Sequence, residues 1–257
     1  TSKEVRRTDR TVQFAVDVAT QAINESGINI DSIEPGKVCV IFGTAMGGIS
    51  TLERENAVML EKGPDRVSPF LIPMSLLDMS AGMISIKHKI RGANYATVSA
   101  CASGAQAIGE AMRKIQHGEV EVAVAGGSEA AITPLCLAGF KRARVLARAD
   151  SEPGDACRPF DADRSGFVMA EGAGAVILEE YHHAKRRGAE IFSELLGYGQ
   201  ASDAYHMTDM APDGEGSARA IRSAFQDAEL SAAAVSYVNA HGTSTKMGDA
   251  VESMALL

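Results

Sequence analysis

Residues 95–127 read YATVSACASGAQAIGEAMRKIQHGEVEVAVAGG. The stretch opens on Tyr95-Ala-Thr-Val-Ser99, whose aromatic and β-branched residues predict a strand. After Cys101 and Ser103-Gly104 the period changes. Ile108, Met112 and Ile115 fall on one helical face, and Glu110 and Lys114 form an i,i+4 ion pair. His117-Gly118 ends that helix. Val120 to Ala125 predicts a second strand, apolar apart from Glu121 and closed by Gly126-Gly127. A strand, a helix and a strand in so short a span are the signature of a parallel crossover. The rest of the chain repeats the theme. Asp9 or Thr11 can cap a helix through Val12, Ala15, Val16 and Ala19 to about Ile23. Pro35-Gly36 makes a turn, and Lys37 to Phe42 is a buried strand ending at Gly43 and the flexible Gly47-Gly48 pair. Pro64 to Pro73 reads as a loop, Met74 to His88 as a Met-rich helix, and residues 149–165 as a charged loop. Gly166 to Glu180, Ile191 to Tyr198 and Val235 to Ala240 read as strands. Tyr181 to Arg187 reads as a helix, Ser217 caps another, and a last helix begins near Asp249. The fold class is α/β with a mostly buried sheet.

Composition agrees with a globular protein. The 257 residues are 46% hydrophobic and 23% charged, which excludes disordered, collagen-like and coiled-coil chains. No apolar run reaches the roughly 18 residues of a membrane helix, and the opening TSKEVRRTDR is polar, without the pattern of a signal peptide. A net charge of −8 argues against nucleic acid as a partner. Basic residues nevertheless cluster at Lys3, Arg6, Arg7 and Arg10, and at Lys141, Arg142, Arg144 and Arg148. Such clusters can be solvated faces or can dock an acidic partner. Four widely spaced cysteines, Cys39, Cys101, Cys136 and Cys157, form neither a zinc site nor a disulfide framework. The expectation is free thiols, no metal and a cytoplasmic protein.

Cys101 is the residue richest in chemistry. It lies where a strand passes into a helix, among Ala100, Ala102, Ser103 and Gly104. Small neighbours let a substrate approach, and a helix N-terminus favours the thiolate, the form that acts as a nucleophile. A buried structural cysteine is the plain alternative. It is preferred for Cys39, inside an apolar strand, and for Cys136, inside an apolar turn. His241 stands at the end of a predicted strand, ahead of Gly-Thr-Ser-Thr, and strand ends of this kind form ligand crevices in α/β folds. His206 is a weaker candidate. Dinucleotide and P-loop glycine motifs are absent, as are H-E-x-x-H and G-x-S-x-G.

Six motifs together resemble one family, the β-ketoacyl-[acyl-carrier-protein] synthases. They are Thr97-Val-Ser-Ala-Cys-Ala-Ser-Gly-Ala105, Gly126-Gly-Ser-Glu129, Arg158-Pro-Phe-Asp161, Asp163-Arg-Ser-Gly-Phe-Val168, Ser202-Asp-Ala-Tyr-His-Met-Thr208 and Asn239-Ala-His-Gly-Thr-Ser-Thr245. The resemblance covers essentially the whole chain and is nearest to the type II elongating enzymes. It implies a thiolase-like fold, a five-layered αβαβα sandwich with mixed, mostly parallel sheets. Residues 1–189 would form the N-terminal half and residues 190–257 the beginning of the C-terminal half. It implies a homodimer, no cofactor beyond the phosphopantetheine carried by acyl carrier protein, and an acyltransferase reaction that elongates a fatty-acyl chain by two carbons.

By the same resemblance, Cys101 matches the nucleophile that holds the acyl chain. His241 matches the first of two histidines that assist decarboxylation of a malonyl group. Thr243 and Thr245 match threonines that hydrogen-bond the pantetheine arm, and Thr208, with His206, falls in a loop at the same entrance. Met46, Cys136 and Phe140 match acyl-pocket positions. Lys3, Arg6, Arg7, Arg66 and Arg144 match positions that grip the acidic carrier protein. Asp249 and Glu252 match positions near the site. The family also has a strand and a Gly-rich turn before the position of Thr1. Beyond Leu257 it has a catalytic lysine, a second histidine and a Gly-Phe-Gly loop. The expectation is therefore a piece of a longer protein, which could be acylated at Cys101 but needs the further groups to condense. The competing readings are a coenzyme A thiolase, a non-catalytic ketosynthase-like partner of the carrier protein, and a cysteine hydrolase using Cys101 and His241.

Overall fold

The computed structural model describes residues 2–148 and 152–257, with only the backbone at Ser2 and Lys3. The chain forms two compact units, one of residues 1–133 and 170–194, the other of residues 134–169 and 195–257.

The first unit is built on a four-stranded sheet of β1 (Val38–Gly43), β2 (Asn94–Tyr95), β3 (Val122–Glu129) and β4 (Gly172–Glu179), in the order β2-β1-β3-β4. β1 runs parallel to both β2 and β3, and only β4 is antiparallel. The central strands β1 and β3 are buried on both faces and read as unbroken apolar runs, whereas alternate residues of β4 are exposed. Alternation sorts their side chains. Val38, Val40, Phe42, Val122 and Val124 pack with Ala15, Ala19 and Ile23 of α2 (Arg10–Ser26) and Ala81 and Ile84 of α5 (Met79–His88). Cys39, Ile41, Ala123 and Ala125 face the other way, onto Ala107 and Ala111 of α6 (Ser103–Gln116). The expected crossover therefore exists, with one refinement: β1 lies between the two strands that α6 connects.

Caps explain the ends of α2. Asp9 accepts from Thr11 N–H, and Gly27 closes the helix in the left-handed region. Asp9 is buried and also accepts from the backbone N–H and hydroxyl of Thr51 (3.0 and 2.6 Å). It thereby ties α2 to α3 (Ile49–Lys62). Ahead of α2 lies the single turn α1 (Ser2–Val5).

Several sequence expectations change here. The helix expected over 74–88 is two helices, α4 (Leu71–Ser75) and α5, separated by an extended Leu76. The chain bends there around Gly48, where a Cβ would lie 2.0 Å from Met74 O. α4 also occupies part of what reads as a proline loop. Of the 95–99 segment only Tyr95 pairs as a strand, in β2, although Thr44 N–H still bonds Thr97 O. α3 carries no sequence signal because Thr51 and Glu55 are its only buried residues.

β4 ends in an ion cluster. Arg187 grips Glu179 with two bonds of 2.7 Å and donates to Ser26 O at the end of α2. His183, on α8 (Tyr181–Arg186), bonds the same carboxylate and has Glu121 on its other side. Burial pushes the Glu179 carboxyl up, but the bonds and charges of Arg187 and His183 outweigh it and hold the group below its ordinary 4.5. A depressed carboxylate stabilises the fold above its unfolded value, and that contribution is lost as pH falls through the folded one. Glu179→Gln will therefore lower Tm by several degrees at neutral pH. Melting curves at successive pH values should show the gap from the parent closing below about pH 4.5. A gap that stays constant with pH would contradict this account.

The second unit contains α7 (Pro134–Ala143), α9 (Glu215–Ala228) and α10 (Lys246–Leu256). Cys136 lies in α7, not in a turn, and is buried as expected. α9 starts two residues before Ser217, with Gly214 as its cap. The strands expected over 191–198 and 235–240 have no ladder partner among the described residues. Strand patterning registers side chains that suit a sheet, but a strand also needs a neighbour. The 195–200 segment packs instead on α9, where a Cβ on Gly199 would lie 2.1 Å from Ala220 O and Tyr198 N–H bonds Asp227.

Candidate functional site

Cys101 sits immediately before α6, on a turn rather than inside an element. Ala100 takes φ +50°, a conformation that costs a residue with a Cβ roughly 1–2 kcal/mol. The thiol-bearing residue is exposed as a result. Buried groups hold the turn from beneath. Ser103 Oγ accepts from Ser99 N–H (2.9 Å) and donates to Ala100 O (2.7 Å). Thr97 Oγ1 donates to Ser103 O (2.8 Å). Ser103 O occupies the space a Cβ on Gly43 would need, at 2.3 Å. The helix start thus rests directly on the end of β1. A thiol displayed in front of a helix of 14 residues has the aligned N–H groups of that helix nearby, and these favour negative charge.

The other cysteines lack these features. Cys39 is fully buried, and burial pushes its thiol up to about 11. Cys157 is exposed, in the loop that follows the turn 153–155.

Met46 lies in the loop after β1. Glu129, at the end of β3, holds that loop by accepting from the backbone N–H groups of Ala45 (2.8 Å) and Met46 (3.1 Å).

In the second unit, His241 is exposed at the head of the segment 241–245. Its backbone N–H and that of Gly242 donate to the two oxygens of Glu252 on α10 (2.6 and 2.8 Å). Ser244 is fully buried with φ +64°. Its N–H donates to Asp249 Oδ1 (3.0 Å), its carbonyl accepts from Gly166 N–H, and its hydroxyl accepts from Arg158 N–H. Asp249 also accepts from Phe160 N–H (2.7 Å) and pairs with Arg164 (3.3 Å). Arg164 in turn donates to the carbonyls of Thr245, Lys246 and Asp161. Thr243 and Thr245 hydroxyls are 2.9 Å apart, and Thr245 is also the N-cap of α10. Phe140 packs edge-on against Phe167 at 5.4 Å. Thr208 and His206 are exposed, with His206 Nδ1 facing Thr208 N–H and Asp209 N–H.

Cys101 and Met46 thus belong to the first unit, and His241, Thr243, Thr245, Thr208 and Phe140 to the second. Of the basic residues, Arg6, Arg7 and Arg66 are exposed in the first unit, and Arg144 in the second. Arg7 lies 4.5 Å over the Phe70 ring. Arg6 lines a cleft of about 700 Å³ with Arg10, Arg54 and Glu171. The Lys3 side chain lies outside the described residues. No group of histidine, cysteine and acidic side chains among the described residues could hold a metal ion. No helix among them is long and apolar enough to cross a membrane.

Sequence reasoning did not single out Ser103, Glu129 or Arg164 as groups that hold these loops. Their only sequence signal is membership of the motifs themselves.

Comparison with known proteins gives a consistent result. The model of the β-ketoacyl synthase N-terminal domain matches residues 1–184, and that of the C-terminal domain matches residues 192–257. The 3-oxoacyl-[acyl-carrier-protein] synthase 2 of Synechocystis is 47% identical over 254 residues, covering 99% of this chain and 61% of the relative. The chain therefore spans about three-fifths of the length of the curated relatives it matches. A β-ketoacyl synthase from Burkholderia phymatum superposes with a TM-score of 0.90 at 38% identity, over 98% of this chain and 62% of that one. A type II polyketide acyl-carrier protein in complex with its ketosynthase provides a chain with TM-score 0.90 and 35% identity, covering 96% and 62%. The α/β fold, with its mixed and mostly parallel sheet, is that of thiolase-like ketosynthases, and the chain belongs to the β-ketoacyl synthase family.

Proposed function

We propose that this chain is the acyl-accepting part of a 3-oxoacyl-[acyl-carrier-protein] synthase, an acyltransferase of fatty-acid elongation. The observation that carries this reading is Cys101, exposed on a braced turn in front of α6 in a chain of this family. Cys101 Sγ attacks the thioester carbonyl of an acyl group on acyl carrier protein. The carrier's thiol leaves with the proton, and the acyl chain stays on Cys101. A malonyl group on a second carrier then loses carbon dioxide. The resulting enolate carbon attacks the Cys101 thioester, a carbon–carbon bond forms, and the Cys101 thiolate departs. His241 donates to the enolate oxygen, where charge develops. The phosphopantetheine arrives on the carrier, so the protein brings no cofactor.

The supporting roles follow the same reading. Thr243, Thr245 and Thr208 contact the pantetheine arm. For Thr245 this is a second duty beside capping α10. Met46 and Phe140 line the acyl pocket. Lys3, Arg6, Arg7, Arg66 and Arg144 hold the acidic carrier protein. Residues 1–189 and 190–257 belong to the two halves of a protein that works as a homodimer in the cytoplasm.

Intact-protein mass spectrometry tests the reading. Incubation of the whole protein with acyl-loaded carrier should add one acyl mass. Malonyl-loaded carrier should then remove it and release a 3-oxoacyl product two carbons longer. Slow hydrolysis of the adduct without malonyl carrier would favour a hydrolase. No adduct at all would favour the non-catalytic carrier-binding partner.

A further inference from the structure

We infer that Ser103 is a positioning residue for Cys101, acting through the backbone of Ala100; the inference rests on the reading of Cys101 as the nucleophile. Ser103 is buried, and its hydroxyl is satisfied on both sides within the turn. One oxygen accepts the N–H of Ser99 and donates to the carbonyl of Ala100. It bridges the residues on either side of the peptide that leads into the left-handed conformation. Ala100 has no intrinsic reason to stay there, since an alanine at φ +50° is strained. Such strain persists only where the surroundings over-determine it. Ser103 is itself fixed: its carbonyl is held by Thr97 Oγ1 and sits over the bare Cα of Gly43. The chain is therefore anchored beneath the turn, and the hydroxyl, by the shorter of the two Ser103 bonds to Ala100 O (2.7 Å against 3.2 Å from the backbone N–H), transmits that anchorage to Ala100. Cys101 follows directly, so the direction of its thiol and of its own N–H depends on the conformation at Ala100.

Removing the hydroxyl takes away both of its bonds and leaves the Ser99 N–H unpaired, and Ala100 O keeps only the longer bond from the Ser103 backbone N–H (3.2 Å). Ala100 then relaxes towards negative φ, and Cys101 turns away from the helix start. Glycine at position 100 adopts positive φ without strain, so it should make the brace dispensable. This pairing separates positioning from general stability.

The experiment measures the rate at which iodoacetamide alkylates Cys101 in the full chain, read by peptide mass spectrometry as a function of pH, together with Tm. Ser103→Ala should slow alkylation about tenfold or more and displace its pH profile. The double variant Ser103→Ala with Ala100→Gly should return to within about threefold of Ala100→Gly alone, which is roughly 0.6 kcal/mol. An unchanged rate and profile in Ser103→Ala overturns the inference. So does a double variant as slow as Ser103→Ala. If Ser103→Ala does not fold, the comparison of the double variant with Ala100→Gly decides alone: parity supports the brace, and a tenfold drop refutes it. Alkylation needs no carrier protein. A parent chain that alkylates at Cys101 but never accepts an acyl group would sink the nucleophile reading and leave the Ser103 result intact.

Discussion

Cys101→Ala should abolish the acyl adduct proposed above, and should do so without unfolding the protein. The side chain is exposed, so its loss removes little packing, and exposed substitutions of this kind shift stability by about 0.5 kcal/mol or less. The loss of function should be complete because no other thiol can take over. Cys39 is fully buried, and its thiol is pushed up to about 11. At neutral pH only about one molecule in ten thousand then carries the thiolate, the form that attacks. Cys136 is buried as well. Cys157 is exposed and provides the internal control, since it does not sit ahead of a helix of any length. The expected pattern is one acyl mass on the parent, one on Cys157→Ala and none on Cys101→Ala, with the same Tm in all three. An adduct that survives in Cys101→Ala and disappears in Cys157→Ala would move the nucleophile to the loop. An adduct retained in both would mean acylation of a hydroxyl or amine, and the thioester chemistry would fall.

Cys101 was legible in the sequence because the junction that displays it is written in residue types. An aromatic and β-branched segment at 95–99, a run of small residues and an amphipathic helix follow one another without a gap, although only Tyr95 of that segment pairs as a strand. The sheet was legible for a related reason. Strand segments buried on both faces, such as Val38–Gly43 and residues 122–125 of β3, need apolar residues at every position, and that run stands out. The brace under Cys101 was not legible, because Ala100 is an alanine. Had the position been glycine, the residue type would have announced positive φ. The same holds for Ser244 at +64°. The break between α4 and α5 was hidden in the same way. It comes from the close approach of Gly48 to Met74, two residues far apart in the sequence. The segments 191–198 and 235–240 failed for a different reason: period and residue type can favour a strand, but pairing is a property of the neighbour. His241 is marked in the sequence by its place ahead of Gly-Thr-Ser-Thr, but the strand expected before it is not paired among the described residues, and the groups that hold its loop lie elsewhere. Glu252 is eleven residues on, and Arg164 reaches the loop from a distant motif.

That hidden framework carries the second large effect. Asp249→Ala should destabilise the second unit by about 3–5 kcal/mol, as expected when one partner of a buried ion pair is removed. Asp249 is 1% exposed, and its two oxygens serve four groups at once, the most distant being the Thr243 hydroxyl, which donates to Oδ1 at 3.5 Å. Oδ1 accepts from Ser244 N–H, while Oδ2 accepts from Phe160 N–H and pairs with Arg164. Alanine leaves both N–H groups unpaired and leaves the guanidinium without its counter-charge. The carbonyls of Thr245, Lys246 and Asp161 still accept from Arg164, but they neutralise none of its charge. For a chain of this size the loss corresponds to a fall in Tm of about 10 °C. Asp249→Asn keeps one acceptor oxygen and should fall between the parent and alanine. Its amide nitrogen, however, must face a donor, either a backbone N–H or the guanidinium, so it cannot match the carboxylate. The ordering parent, asparagine, alanine in thermal melts distinguishes this account from simple loss of volume, which would make asparagine nearly silent. Hydrogen exchange at Ser244 and Phe160 adds a local readout, because these two amides lose their acceptor directly. A Tm for Asp249→Ala within about 2 °C of the parent, with both amides still protected, would mean that Gly166, Arg158 and Glu252 hold the His241 loop without it.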